Sequence, residues 1–287
     1  MRESIVYDLT SVSGILDSLS KHLELSKTDI LNYLERVRNN FDLTQFLEDF
    51  RIEDERLLDC DISLISLHVT TNDDECADIR TNGIVNLQKV LTSETTLGKY
   101  LRSQGITVNV NNKEIQFNGH SYSLSENDNC DAIKRIYYKL YKDYQVNSFL
   151  SCNNALEYGV DMMPEFLENI AELLDSEEIL DNWGEMNIKC SVVKFRVPLA
   201  NFADDTFSQG RYKISEQEFQ YSGSDKLNML KRYWILNQSF DLLRFYLSYQ
   251  QMKQIFGYLR FDEVVPSSSI LKIYTPEEYL EEYRIDD

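Results

Sequence analysis

Histidine, proline and glycine are all scarce in this chain of 287 residues, which holds three His, four Pro and ten Gly. So little Gly and Pro excludes collagen-like, elastic and linker-dominated architectures. The histidines are His22, His68 and His120, and none stands at zinc-ligand spacing to a cysteine. A histidine-based metal centre therefore has no support, and proton transfer near neutral pH must lean on carboxylates. Cys60, Cys76, Cys130, Cys152 and Cys190 are odd in number, widely spaced and free of any CxxC pair. That pattern fits core filling in a reduced compartment and not a disulfide framework. No apolar run approaches the roughly 20 residues that span a bilayer. The opening MRESIVYDLTSVSG lacks the apolar core of a signal peptide. The expectation is a reduced, cytoplasmic, metal-free protein. Also missing are GxxxxGK(S/T), GxGxxG after a strand, GxSxG, HExxH and the kinase motif set. Phosphate-loop, Rossmann, nucleophile-elbow, zincin and kinase chemistries are set aside accordingly.

What is present is acid, apolar residues and tyrosine. Lys plus Arg is 29 against 48 for Asp plus Glu, a formal net charge of −19. Phosphate-driven affinity needs clustered cations, so a general nucleic-acid binder is disfavoured. Hydrophobic residues are 43% of the chain, enough for a packed core. Aromatics reach 12%, with 18 Tyr and 14 Phe.

Helical periodicity rules the first sixty residues: Thr10–Leu25, Thr28–Phe41 and Leu43–Phe50 carry apolar residues at helical spacing, and an acidic connector follows around Arg51–Asp61. At Ile62 the pattern changes. Ile62–Thr70 reads as a buried strand, Asn72–Asn82 as a short helix stopped by an αL Gly83, and Leu87–Arg102 as a second helix. Ile106–Leu124 reads as a meander with a hairpin at Asn118-Gly119. Asp128–Tyr144 is helical, Val146–Ser151 a strand, and Pro164 opens a helix. Cys190–Val197, Leu259–Val265 and Ile270–Tyr274 read as strands, Asp225–Lys253 as one or two helices, and Thr275-Pro-Glu-Glu278 as a capping box. The expected fold class is α+β, with a helical appendage over 1–60 and a second, sheet-containing domain over 61–287.

Three segments could carry chemistry. His68 stands at the end of the first apolar strand, followed by Val69 and Thr70; its plainer use is a backbone bond at a strand terminus. Glu263 lies in Tyr258-Leu-Arg-Phe-Asp-Glu-Val-Val265, where strict alternation places Leu259, Phe261 and Glu263 on one face. A carboxylate on the same face as two large apolar side chains is partly desolvated, a mark of functional groups; a register slip or bulge that turns Glu263 to solvent is the alternative. Phe149 and Ser151 share a face of Val146–Ser151, where an aromatic ring can stack on a flat ligand or serve as ordinary core.

Together these segments resemble the ADP-ribosyltransferase superfamily. Leu67-His68-Val69-Thr70 with Ile79-Arg-Thr-Asn-Gly83-Ile84 is similar to that family's H-x-T strand followed by an I-x-x-N-G-(I/L) helix end. Phe261-Asp-Glu-Val-Val-Pro266, then Ile270, Ile273 and Pro276-Glu-Glu-Tyr279, resembles its last catalytic strand and terminal helix. The order His, aromatic, Glu matches the H-Y-E type, nearest the bacterial DarT-like toxin and phage-defence branch. The resemblance spans roughly Leu64–Tyr279 and leaves the first sixty residues without a counterpart. In the middle it meets Phe149 or Tyr158 and not a clear tyrosine match.

The resemblance implies a split two-sheet core that binds NAD as co-substrate without a Rossmann helix or a metal. His68 would hydrogen-bond the ribose or phosphate side of NAD, and Thr70 and Gly83 would hold its ends. Phe149, flanked by Ser151, or else Tyr158, would stack on nicotinamide. Glu263 would accept the 2′-hydroxyl of the nicotinamide ribose as the catalytic residue. Arginine-modifying relatives carry an acid or glutamine two positions before that glutamate; Phe261 stands there instead, which turns the expected acceptor toward a nucleic-acid base or another protein side chain. The implied activity is a glycosyltransferase-class ADP-ribosyl transfer by a toxin or phage-defence effector, with an antitoxin or regulatory partner and no membrane. Hydrolysis of NAD is the alternative within the same fold. A non-enzymatic acidic protein, a nucleic-acid mimic or antitoxin-like partner, is the alternative outside it.

Overall fold

The computed structural model describes residues 3–37, 40–158, 163–186 and 188–285. It is an α+β fold. Its strands are β1 (Glu3–Tyr7), β2 (Cys60–Asn72), β3 (Thr107–Asn109), β4 (Glu114–Phe117), β5 (His120–Ser123), β6 (Asn147–Ser151), β7 (Lys189–Pro198), β8 (Ile255–Tyr258) and β9 (Ile270–Tyr274). The larger sheet has the hydrogen-bonding order β8-β6-β2-β7-β9, with β1 beside β2. The smaller sheet is the meander β3-β4-β5. Its hairpin falls at Asn118-Gly119, both at positive φ (49° and 78°), as the sequence predicts for an Asn-Gly turn.

The chain divides into two compact units, each built from three segments. One comprises Met1–Leu67, Asn147–Asn153 and Arg196–Leu259. In it β1 pairs in parallel with the first part of β2, from Glu3↔Cys60 to Tyr7↔Leu64. Leu67 faces Phe149 in an antiparallel pair, and β6 continues antiparallel onto β8. The 26-residue helix Ser224–Tyr249 buries Trp234, Ile235, Phe240 and Leu243 and packs on Val12–Leu23. Phe240 closes a cluster with Phe41 and Phe46, with ring centroids 4.6 and 4.7 Å away. The expected separate appendage over 1–60 is therefore redrawn. Its helices form, at Val12–Leu23, Lys27–Val37, Leu43–Asp49 and Asp54–Leu58. The residues before them, however, supply a strand that pairs with β2, so contacts do not part at residue 60.

The other unit comprises His68–Val146, Asn154–Phe195 and Arg260–Asp287. Here β7 pairs antiparallel with β9 from Val192↔Tyr274 to Phe195↔Ile270. A core of Tyr100, Ile106, Ile115, Ile136, Leu140, Phe166, Ile170 and Trp183 joins the meander to helices Thr96–Ser103, Asp131–Tyr141, Glu165–Leu174 and Glu178–Gly184. The helix read over Asn72–Asn82 begins only at Ala77, because Glu75 and Cys76 both take positive φ (52° and 61°) and reset the chain direction. The helix read over Leu87–Arg102 is two, Leu87–Thr92 and Thr96–Ser103, N-capped by Asn86 and Thr95. The capping box at Thr275 and Glu278 forms as read. Cys60, Cys76, Cys152 and Cys190 are buried, Cys130 is exposed, and none is in a disulfide. No helix among the described residues is long and apolar enough to cross a membrane.

Candidate functional site

Two candidate segments, 79–84 and 261–266, meet in space through Ile84 and Val265. Helix Ala77–Asn82 ends when the Gly83 N–H returns to the Ile79 carbonyl at 2.8 Å. Gly83 then takes φ +80° and ψ −169°. This is not the αL stop expected from the sequence but an extended mirror-image conformation open essentially to glycine alone. Its cause is the neighbour: a β-carbon here would stand 1.9 Å from the Val265 carbonyl oxygen. The close approach lets the next residue pair. The Ile84 N–H donates to Val265 O and the Val265 N–H donates to Ile84 O, each at 2.9 Å.

Just before Val265, the predicted strand Leu259–Val265 is absent. Leu259 makes an isolated bridge to Phe202, and the chain then turns. The Glu263 N–H donates to Arg260 O at 3.0 Å, closing a reverse turn through Phe261 and Asp262. Alternation ends with the strand, so Leu259, Phe261 and Glu263 do not share a face. Leu259 is buried, while Phe261 is 43% exposed. The turn is gripped from outside. The Asn86 Nδ2 donates to Phe261 O at 2.7 Å, and Tyr144 stacks on the Phe261 ring with centroids 4.7 Å apart. The Glu263 carboxylate accepts a short hydrogen bond from Arg260 Nη2. Its side chain is 16% exposed, against 53% for Arg260. That bond holds the Arg260 guanidinium above its ordinary pKa. Glu263 is thus a shielded carboxylate on a pinned turn beside an exposed cation.

His68 lies within β2, which extends on to Asn72, and not at a strand end. His68 and Thr70 are half-buried and alternate with buried Leu67, Val69 and Thr71. Past them the strand is tied to the helix that ends at Gly83. The Thr96 Oγ1 donates to Asn72 Oδ1 at 2.7 Å, the Asn72 Nδ2 to Asp78 Oδ1 at 2.9 Å, and the Thr96 N–H to Asp78 Oδ2 at 3.2 Å. Tyr158, in the turn Ala155–Tyr158 of the same unit, is 42% exposed.

Phe149 and Ser151 belong to the other unit. Phe149 is 8% exposed, sits opposite Leu67 and tilts against Phe256 at 5.5 Å between centroids. Ser151 is fully buried, and its Oγ has no hydrogen-bond partner among the described residues. Among the described residues no three His, Cys, Asp or Glu side chains gather as a metal site.

Sequence reasoning passed over Asn86, Arg260, Tyr144 and the Asn72–Asp78–Thr96 network. Asn86 had one visible signal, its place as an N-cap three residues before Lys89; its reach to Phe261, 175 positions away, had none. No family model, curated protein or solved structure matches this chain.

Proposed function

We propose that this chain is an NAD-consuming ADP-ribosyltransferase with Glu263 as its catalytic residue. The observation that carries the reading is the Ile84–Val265 bridge. It joins the Asn82-Gly83-Ile84 helix end to the Asp262-Glu263-Val264-Val265-Pro266 segment, the two stretches whose residues resemble that superfamily. The close approach at Gly83 supplies a physical reason for glycine in the first stretch.

NAD would supply a ribosyl carbon whose bond to nicotinamide breaks, with nicotinamide leaving with the electron pair. The chain's own groups bind and stabilise. Glu263, fixed on its turn, accepts a hydrogen bond from the ribose 2′-hydroxyl and stabilises the positive charge that develops at the neighbouring carbon. His68 and Thr70 hold the dinucleotide by hydrogen bonds. Of the aromatic candidates, Tyr158 offers ring surface, whereas Phe149 is committed to packing against Phe256. The acceptor is a nucleobase or a protein side chain other than arginine, and its nucleophile gives up a proton as it bonds to the ribosyl carbon.

Nicotinamide release measured against NAD concentration tests the assignment. Glu263→Gln keeps the shape of the side chain and loses its charge, and turnover is expected to fall about 10²–10³-fold. NAD affinity should change far less, because the ground state gains little from that charge. His68→Ala should instead raise the apparent KM with a smaller effect on kcat. Release that does not depend on an acceptor makes water the acceptor and the chain an NAD glycohydrolase. A wild-type chain that consumes no NAD with any acceptor overturns the enzyme and leaves an acidic interaction protein.

A further inference from the structure

If Glu263 acts as proposed, something must fix where its carboxylate stands, since a turn is the least rigid element on which to mount a catalytic group. Two side chains do so from different directions. Asn86 is buried and serves two masters at once. Its Oδ1 accepts from the Lys89 N–H at 3.0 Å and caps helix Leu87–Thr92. Its Nδ2 donates to the carbonyl of Phe261, inside the turn, at 2.7 Å. Because the helix is packed into the core through Leu91, the amide transmits a rigid reference to the turn. Arg260, at the first position of the same turn, grips the carboxylate itself through Nη2. The backbone bond from the Glu263 N–H to Arg260 O keeps the two ends of that grip at constant separation.

We infer that Asn86 and Arg260 are positioning residues that together set the Glu263 carboxylate against the ribose. The inference rests on the NAD-consuming reading and adds to it the machinery outside the resembling motifs. Neither residue touches the reacting atoms. Asn86 acts through the Phe261 carbonyl, and Arg260 acts through the carboxylate.

Asn86 permits a clean test because its two functions separate. Asp and Ser at position 86 both remain good N-caps. Asp has no donor for Phe261 O when ionised, and Ser is too short to reach it. Asn86→Asp and Asn86→Ser should therefore lower kcat for nicotinamide release about 10- to 100-fold, the range associated with small misplacements of a catalytic group. KM for NAD should move by less than about threefold, the signature of a contact that matters in the transition state and not in binding. Arg260→Met should act in the same way, with partial rescue in Arg260→Lys, which keeps the cation but not the planar fork. Hydrogen exchange at the Val265 amide, bonded to Ile84 O, monitors the integrity of the neighbouring bridge and should stay slow in all four variants. Wild-type kcat in both Asn86 variants overturns the inference and leaves the NAD-consuming reading standing. So does a loss of kcat that appears only together with fast exchange at Val265, which is general loosening. A wild-type chain that releases no nicotinamide overturns the reading, and the inference with it.

Discussion

A β-carbon at position 83 would stand 1.9 Å from the Val265 carbonyl oxygen, a separation no side chain survives. Gly83→Ala should therefore destabilise the protein by about 3 kcal/mol or more, combining a backbone conformation reserved for glycine with a steric clash. Gly105 is the control. It too has positive φ, +72°, but an added β-carbon there meets nothing within 4 Å. Gly105→Ala should cost about 1–2 kcal/mol, the conformational penalty alone. Urea denaturation of the two variants beside the wild type checks both values; equal losses would mean that the approach to Val265 is not what makes position 83 special. Gly83 was visible in the sequence as a helix stop, but the reason for it was not. That reason is a carbonyl 182 positions away, and no local pattern encodes such a partner.

At the scale of elements, the capping box of the last helix offers a local and separable test. The Thr275 Oγ1 accepts from the Glu278 N–H while the Glu278 carboxylate accepts from the Thr275 N–H at 3.0 Å. Thr275→Ala should cost about 1 kcal/mol, read as a shift in denaturant midpoint without a change of slope. Elements whose signals are local, such as this box, the Asn118-Gly119 hairpin and the Pro164 helix start, were legible in the sequence. Elements decided by distant partners were not. Residues 259–265 have strand-forming composition, yet the chain turns at Arg260–Glu263, where a short backbone bond and an ion pair replace a ladder. β1 escaped notice because five residues, Glu3–Tyr7, make a strand only when Cys60–Leu64 lie beside them. For the candidate site this means that Glu263 and His68 were singled out by pattern, while their settings, a turn and a strand interior, emerged from pairing.

At the scale of the whole molecule, acid should weaken the fold through one buried histidine as well as through the many carboxylates. His22 is almost fully buried, its Nδ1 accepts from the Tyr7 hydroxyl, and burial, aided by the Arg232 and Arg56 guanidinium groups, lowers its pKa to about 4. Burial in turn pushes the Tyr7 hydroxyl up, so Tyr7 stays the donor. The unfolded chain takes up a proton on His22 near pH 6.5, and the folded chain resists until about pH 4. Between those values the unfolded state binds more protons, so stability rises with pH and falls on acidification. The loss attributable to His22 across that window is on the order of 3 kcal/mol. Comparing wild type with His22→Phe at pH 7 and pH 5 isolates this contribution, because the carboxylates titrate in both. The variant should lose less stability on acidification, and identical pH slopes would show that His22 is protonated in the folded protein.

The bridge between Ile84 and Val265 also has a consequence in time. Translation lays down roughly 5–20 residues per second, so the 181 positions between these partners separate their appearance by roughly 10–40 s. Throughout that interval the Gly83 loop exists without the segment it was shaped to receive, and Glu263 has not been made. On the proposed NAD-consuming reading, a growing chain therefore has no catalytic carboxylate until residue 263 is made, and no pinned turn until Val265 pairs with Ile84.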